Sequence, residues 1–348
     1  MEKNKDELEQ LKNMQIIETI TADAYTNYIL DSSFIVFTST QGILYLIYLS
    51  KKNTIIIFNL NDNKKIVELN HVHKTNITGF KHFLDKKNKR DLFMSISSED
   101  NTIIVWDLNN LQNILNIVNI NKGGMLSSAC FLDDKDKDTF YIVTSNCSQS
   151  PFYINFDPIK IFDSKGQQIK EIKESNERTY YMDAYYDNII SNKNYIVTCN
   201  FNYIKSYNYE NNKLYKKYYD KDEGAHFTFN IYDYSDKQIN IIESSNIGTI
   251  RIWNFHTGEL LNKIVVNNKR LFSICLWNKE CLFSGCDDGN VYLFEMKNGN
   301  WNFEQNFEVY KGSFALTLKK IKMEKYGECL ISKGFQNNQI KILGFKNQ

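Results

Sequence analysis

Short runs of β-branched and aromatic residues return at intervals along the chain, each bounded by polar stretches rich in Asn, Asp, Lys and Gly. The runs are NTIIIFNL from Asn53, NTIIVWDL from Asn101, PIKIFDS from Pro158, YIKSYNY from Tyr203, GTIRIWNF from Gly248, GNVYLFEM from Gly289 and NQIKILGF from Asn338. Runs of this length and composition, closed by turn-forming residues, read as strands rather than helices. Their markers, Phe58, Trp106, Phe162, Tyr207, Trp253, Phe294 and Leu343, recur about every 41 to 56 residues, the period of four-stranded propeller blades.

Each period repeats one order of elements. A second strand and a polar turn precede the marker strand, as in DLFMSISSEDN, QINIIESSNIG, CLFSGCDDGN and CLISKGFQNNQ, and each pair reads as a β-hairpin. An alternating strand leads into the hairpin (NITGFKHFL, MLSSACFL, TYYMDAYY, RLFSICLW), and a more polar one follows it (KKIVEL, QQIKEI, ELLNKI). The pattern predicts an all-β protein, a seven-bladed β-propeller of four-stranded antiparallel blades. The third repeat carries a longer connection, NCSQSPFYINFD, expected to protrude or to distort its blade. The last repeat stops after its third strand, KILGF, while residues 14–20, MQIIETI, form a spare β-type run. If that N-terminal strand completes the final blade, the ring closes and leaves no open sheet edge between the chain's two ends. Residues 1–13, MEKNKDELEQLKN, are then a short polar tail or helix, and residues 14–348 a single propeller.

Residues 73–108, with HKTNITGF followed by DLFMSISSEDNTIIVWDL, resemble a repeat of the WD-repeat family. In that family a His in the loop leading into the blade, a Ser or Thr on the second strand, an Asp in the hairpin turn and a Trp on the third strand form one hydrogen-bonded chain. The resemblance implies His73, Ser98, Asp100 and Trp106 for these roles, His73 rather than His71 because Ile77 and Phe80 follow it at the spacing of inward-facing strand residues. Asp100 would accept from His73 and the turn, Ser98 would relay to the imidazole, and Trp106 would offer its indole N–H. His73 and Asp100 also read as an acid–base pair, but the blade context favours a structural role. Other repeats match in part: the fifth keeps Trp253 with Ile247 at the turn and His226 off the matching spacing, and the sixth keeps Asp288 with Phe294 in place of Trp.

Composition narrows the function. With 42 Lys and Arg against 41 Asp and Glu, the net charge of +1 gives no global field toward nucleic acid or an anionic membrane. Seven Cys without a CxxC pair, and no apolar leader, point to a reducing, cytosolic setting. The longest apolar run, residues 42–49, is far below the roughly twenty residues of a membrane span. The even Asn, Lys and Ile bias fits AT-rich coding and exposed turns better than any chemistry. Phosphate-loop, zincin and nucleophile-elbow motifs are absent, as is any spaced Cys/His ligand set, so no catalytic residue, cofactor or metal is assigned. The acidic run DDKDKD, residues 133–138, lacks the glycine and terminal Glu of a calcium loop and reads as a solvated turn. Residues 81–90 and 213–223 interleave Lys with aromatics, a composition found at RNA surfaces, yet both contain acids and read as solvated strand edges. The paired-arginine motif of lipid-binding propellers has no counterpart; NNKRLFS around Arg270 comes nearest.

What remains is a rigid ring of loops, suited to docking proteins or peptides by several small contacts. The WD-repeat resemblance implies docking on the face formed by the loops leading into each blade and the hairpin turns. Asn76 and Glu99, Arg270 and Asp287, and Tyr180 and Tyr181 after Arg178 are expected on or near that face. The expected function is a non-enzymatic interaction scaffold; a propeller enzyme with a channel-centred acidic site, and an RNA- or membrane-associated propeller, are the alternatives.

Overall fold

Twenty-eight strands follow a single helix among the described residues. They pair into seven antiparallel sheets of four strands each. The computed structural model describes residues 2–22, 33–50, 53–121, 125–147, 158–173, 175, 178–222, 224–266, 269–297, 299–335 and 337–345. Blades 1 to 6 span residues 34–69, 77–117, 125–172, 181–219, 226–265 and 271–308, and each is a meander with strands in chain order. The first strand of every blade neighbours the first strand of the next, from blade 1 round to blade 7 and back, so these strands surround the central axis.

Blade 7 is built from both ends of the chain. Residues 315–344 supply three strands, and Gln15–Thr21 pairs antiparallel with Gln339–Gly344 as the fourth, with Ile20 opposite Ile340. The helix Glu2–Lys12 does not fray beside this closure. Leu8, Leu11 and Met14 are buried against Trp277, Phe283 and Phe307 of blade 6 and Leu343 of blade 7. Glu7 Oε1 accepts from Trp277 Nε1 at 3.2 Å and Asn278 Nδ2 at 3.0 Å, and Gln305 Nε2 donates to the Lys12 carbonyl at 2.8 Å.

Inner strands such as Leu44–Leu49 are buried at every position, because each blade stacks on a neighbour through both faces. The apolar core is therefore seven inter-blade layers: Ile47, Ile57, Phe80 and Trp106 join blades 1 and 2, and Leu92, Val105, Leu126 and Ile142 join blades 2 and 3. Every outer strand carries one extra residue next to the marker position: Ile66, Ile114, Ile169, Tyr215, Leu261, Glu304 and, in blade 7, Ile17. A bulge at this fixed register bends and twists the edge, blunting it as a template for a further strand. The longer connection in the third repeat lies outside the described residues from 148 onward; the strands flanking it pair with Val143 opposite Ile161.

Candidate functional site: the loop face

First strands begin, and second strands end, on one face of the ring, as the pairs Leu271 with Cys286 and Ala315 with Gly334 show. In blade 2 a buried polar chain ties this face together, and its relay serine is Ser95, not Ser98. His73 Nε2 lies 2.8 Å from Ser95 Oγ, which also accepts the Trp106 indole N–H at 3.1 Å. Register explains the choice: Trp106 pairs with Phe93, so Ser95, two residues on, presents its hydroxyl on the same face within diagonal reach. Ser98 has left the strand, and its Oγ pairs with Thr78 Oγ1 at 2.7 Å. Asp100 stands 4.0 Å from His73 Nδ1, which instead meets Thr102 Oγ1 at 2.7 Å. Its carboxylate accepts from the Lys74 and Thr75 amides and from Thr75 Oγ1. Burial works against the charge on Asp100, but hydrogen bonds from Ser97, Thr75 and Lys74 outweigh it and hold the carboxyl below its usual value. Burial pushes the His73 imidazole down to about 4, Asp100 opposing only in part. A neutral, fully enclosed imidazole and a turn-bound carboxylate brace the blade.

Blade 5 uses charge where blade 2 uses a hydroxyl. Glu243 occupies the register of Ser95, two residues beyond the partner of Trp253. His226 Nδ1 lies 2.9 Å from Glu243 Oε2, and Arg251 Nη1 donates to Glu243 Oε1 at 3.1 Å, all three residues being 1% exposed or less. Arg251 also reaches Asp220 at 3.1 Å and the Asp222 carbonyl at 3.3 Å, both in the loop leaving blade 4. The same third-strand position holds Lys160 in blade 3 and Lys341 in blade 7, which donate to the carbonyls of Ile120 and Val309, each at 2.6 Å. These cations stitch a blade to the loop preceding it.

On the same face an arc of aromatic rings crosses four blades. Tyr180 packs edge-on against Phe227 at 5.9 Å, Phe227 meets Phe272 at 5.1 Å, Phe272 stacks on Phe314 at 5.3 Å, and Phe314 stacks on Phe335 at 5.4 Å. Arg178, exposed, lies over the Tyr180 ring at 4.7 Å. Phe227 and Phe272 are the extra residues of bulges at the start of their first strands, between His226 and Thr228 and between Leu271 and Ser273. A bulge re-aims the side chain it inserts, which brings these two rings into one row with Tyr180 and Phe314. Phe272, in the middle of the row, is buried, whereas Tyr180, Phe227, Phe314 and Phe335 keep part of their surface in solvent. Ile247 and Phe201, in the hairpin turns of blades 5 and 4, are exposed on the same face.

Among the residues expected on this face, Arg178 and Tyr180 form one end of the arc. Arg270 and Asp287 flank it at Phe272, joined by the Asp287 amide donating to the Arg270 carbonyl at 3.0 Å. Asn76, whose carbonyl accepts from Ser97 Oγ, and the exposed Glu99 sit on blade 2, apart from the arc. Tyr181 is buried: its ring packs on Phe229 at 5.2 Å and its hydroxyl accepts from Lys81 at 3.0 Å, so it belongs to the blade core. Phe227, Phe272, Phe314 and Phe335 escaped the sequence reading, where they look like ordinary strand aromatics.

Other polar clusters have architectural geometry. His256 Nε2 lies 3.2 Å from Asp187, and Tyr215 OH 2.8 Å from its Nδ1, while Ser191 Oγ donates to Asp187 rather than to the imidazole. Asp183, on the axial strand of blade 4, is held by Lys81 at 3.2 Å. In the segment 213–223 the ammonium of Lys217 rests over Tyr203 at 3.8 Å. Among the described residues no group of three or more His, Cys, Asp or Glu is placed to hold a metal ion, and no helix is long and apolar enough to cross a membrane. Six described cysteines, from Cys130 to Cys329, are buried free thiols.

No family model matches the chain, and no curated protein matches it in sequence. Among solved structures, a chain from the crystal structure of a mitotic checkpoint complex is similar, with a TM-score of 0.70 at 10% identity, over 96% of this chain and 92% of that one. The likeness is one of fold: a seven-bladed β-propeller.

Proposed function

We propose that this chain is a WD-repeat-like platform that works by binding rather than catalysis, docking a protein or peptide partner on its loop face within a larger assembly. The observation that carries this reading is the aromatic arc from Tyr180 to Phe335, with Arg178 stacked at one end. Partly exposed rings beside an arginine, on a rigid frame, are the composition of interface hot spots. Ring closure holds these groups in place before a partner arrives, which lowers the ordering cost of association. The fold neighbour comes from a structure described as a complex, in keeping with work inside an assembly. The buried free thiols agree with a reducing, cytosolic setting.

The test is affinity purification from native cells with three baits: wild type, Phe314→Ala with Phe335→Ala, and a control, Lys213→Glu, on the outer edge of blade 4. Loss of the same partners from the arc variant alone is expected. Identical partner lists for all three refute the platform.

A further inference from the structure

We infer that the occupant of the arc is an acidic peptide segment presenting two or more large apolar side chains, an inference that rests on the platform reading and gives its partner a chemistry. Two features of the face carry it. The first is the row of rings: Tyr180 and Phe227 lie 5.9 Å apart and Phe314 and Phe335 5.4 Å apart, all four with exposed surface, and the buried Phe272 joins the two pairs at 5.1 and 5.3 Å. An extended chain places side chains of one face about 7 Å apart, so two apolar residues of one segment can reach the two exposed pairs.

The second feature is the charge left over around the row. Among the described residues, most acids of the neighbouring loops are engaged within the protein, Asp287 only through the Cys286 thiol at 3.3 Å. Asp220 and Asp222 are bound by Lys263, with Arg251 also on Asp220. Asp288 accepts from Lys269 at 2.8 Å and Tyr292 at 2.7 Å, which holds its carboxyl down at about 2 against the opposing effect of burial. The cations are differently placed: Arg178, Arg270 and Lys311 are exposed at the loops leading into blades 4, 6 and 7, each within three residues of a ring of the arc. An apolar row bordered by outward cations, with Asp220, Asp222 and Asp288 already paired, complements a segment carrying Asp or Glu beside its apolar anchors. A basic or purely aliphatic segment would leave these cations unanswered.

A random dodecapeptide library displayed on phage, selected against the wild-type protein, tests the inference. Winning sequences are then synthesised with a fluorescent label, and binding is measured against three proteins: wild type, Arg178→Glu with Arg270→Glu, and Phe314→Ala with Phe335→Ala. Enrichment of Asp or Glu next to Phe, Trp or Leu is expected. Each double variant should bind at least about tenfold more weakly, a loss of roughly 1.4 kcal/mol or more, and raising the salt should weaken wild-type binding. The charge-reversal pair alters only exposed side chains, so it stays informative if the phenylalanine pair melts early. Binders that need Phe314 and Phe335 yet are basic or uncharged, or that ignore the charge reversal, overturn the acidic class and leave the platform standing. A library without binders, or with binders indifferent to the phenylalanines, overturns the platform itself.

Discussion

Replacing Ser95 by Ala removes one oxygen that serves two buried groups. Ser95 Oγ lies 2.8 Å from His73 Nε2 and 3.1 Å from Trp106 Nε1, and His73 and Trp106 are 6% and 8% exposed. Each group left without a partner costs about 1–3 kcal/mol, so Ser95→Ala should cost about 2–6 kcal/mol. Ser98→Ala is the matched comparison. Thr78 loses Ser98 but keeps the Ile96 carbonyl at 3.3 Å, so no buried donor is stranded and the cost should be about 1 kcal/mol. Urea unfolding followed by tryptophan fluorescence and by circular dichroism measures both. A further cross-check is Trp106→Phe, which should cost less in the Ser95→Ala background than in the wild type, because the indole donor is already unpaired there. A Ser98→Ala variant as unstable as Ser95→Ala, or more so, would refute the relay.

Other parts of the fold are open to equally direct tests. Burial pushes the His73 imidazole down to about 4 in the folded protein, from 6.5 in the unfolded chain, so protons bind the unfolded chain first; stability is full above pH 6.5 and falls toward pH 4, by about 3 kcal/mol from this group. His73→Gln should flatten the curve of urea midpoint against pH between those values. Gly289 has φ of +83°, and a Cβ there would sit 1.8 Å from the Tyr310 carbonyl oxygen, whereas at Gly299, with φ of +80°, a Cβ meets open space. Gly289→Ala should therefore cost more than about 3 kcal/mol and Gly299→Ala about 1–2 kcal/mol by thermal denaturation. Deleting residues 2–12 should undock the helix, shift Trp277 emission to the red and lower stability by a few kcal/mol with the transition still cooperative. Deleting residues 2–21 should also strip the outer strand from blade 7 and broaden the melt; an unchanged transition would sink the closure.

The repeat was legible because its signals are local. Period-two runs, turn residues and a marker aromatic near each third strand depend only on neighbours in sequence, and they located every blade, including the N-terminal run that completes the last. The polar chain of blade 2 was half legible. His73 and Trp106 have fixed chemistry and spacing, but MSISSED offers three serines, and only strand pairing decides which lies diagonal to the indole. Arg178 and Tyr180 stood out as a cation beside aromatics, while Tyr181, one residue on, points into the opposite environment. Residues 1–13 read as a polar tail or helix, and its docking was not legible because Leu8 and Leu11 are too few to announce an apolar face without the groove that receives them.

Alone, then, the amino-acid order determined the number of blades, their strand order and the way the ends meet, since each follows from short-range alternation and turn chemistry. Tertiary structure decided which residues become a surface. Phe227 and Phe272 are extra residues of bulges whose existence depends on pairing with a distant strand, and Phe314 joins their row only because the ring sets blade 7 beside blade 6. An aromatic face assembled from one or two residues of each of four blades leaves no contiguous trace in the sequence, because the contacts that define it run around the ring and not along the chain.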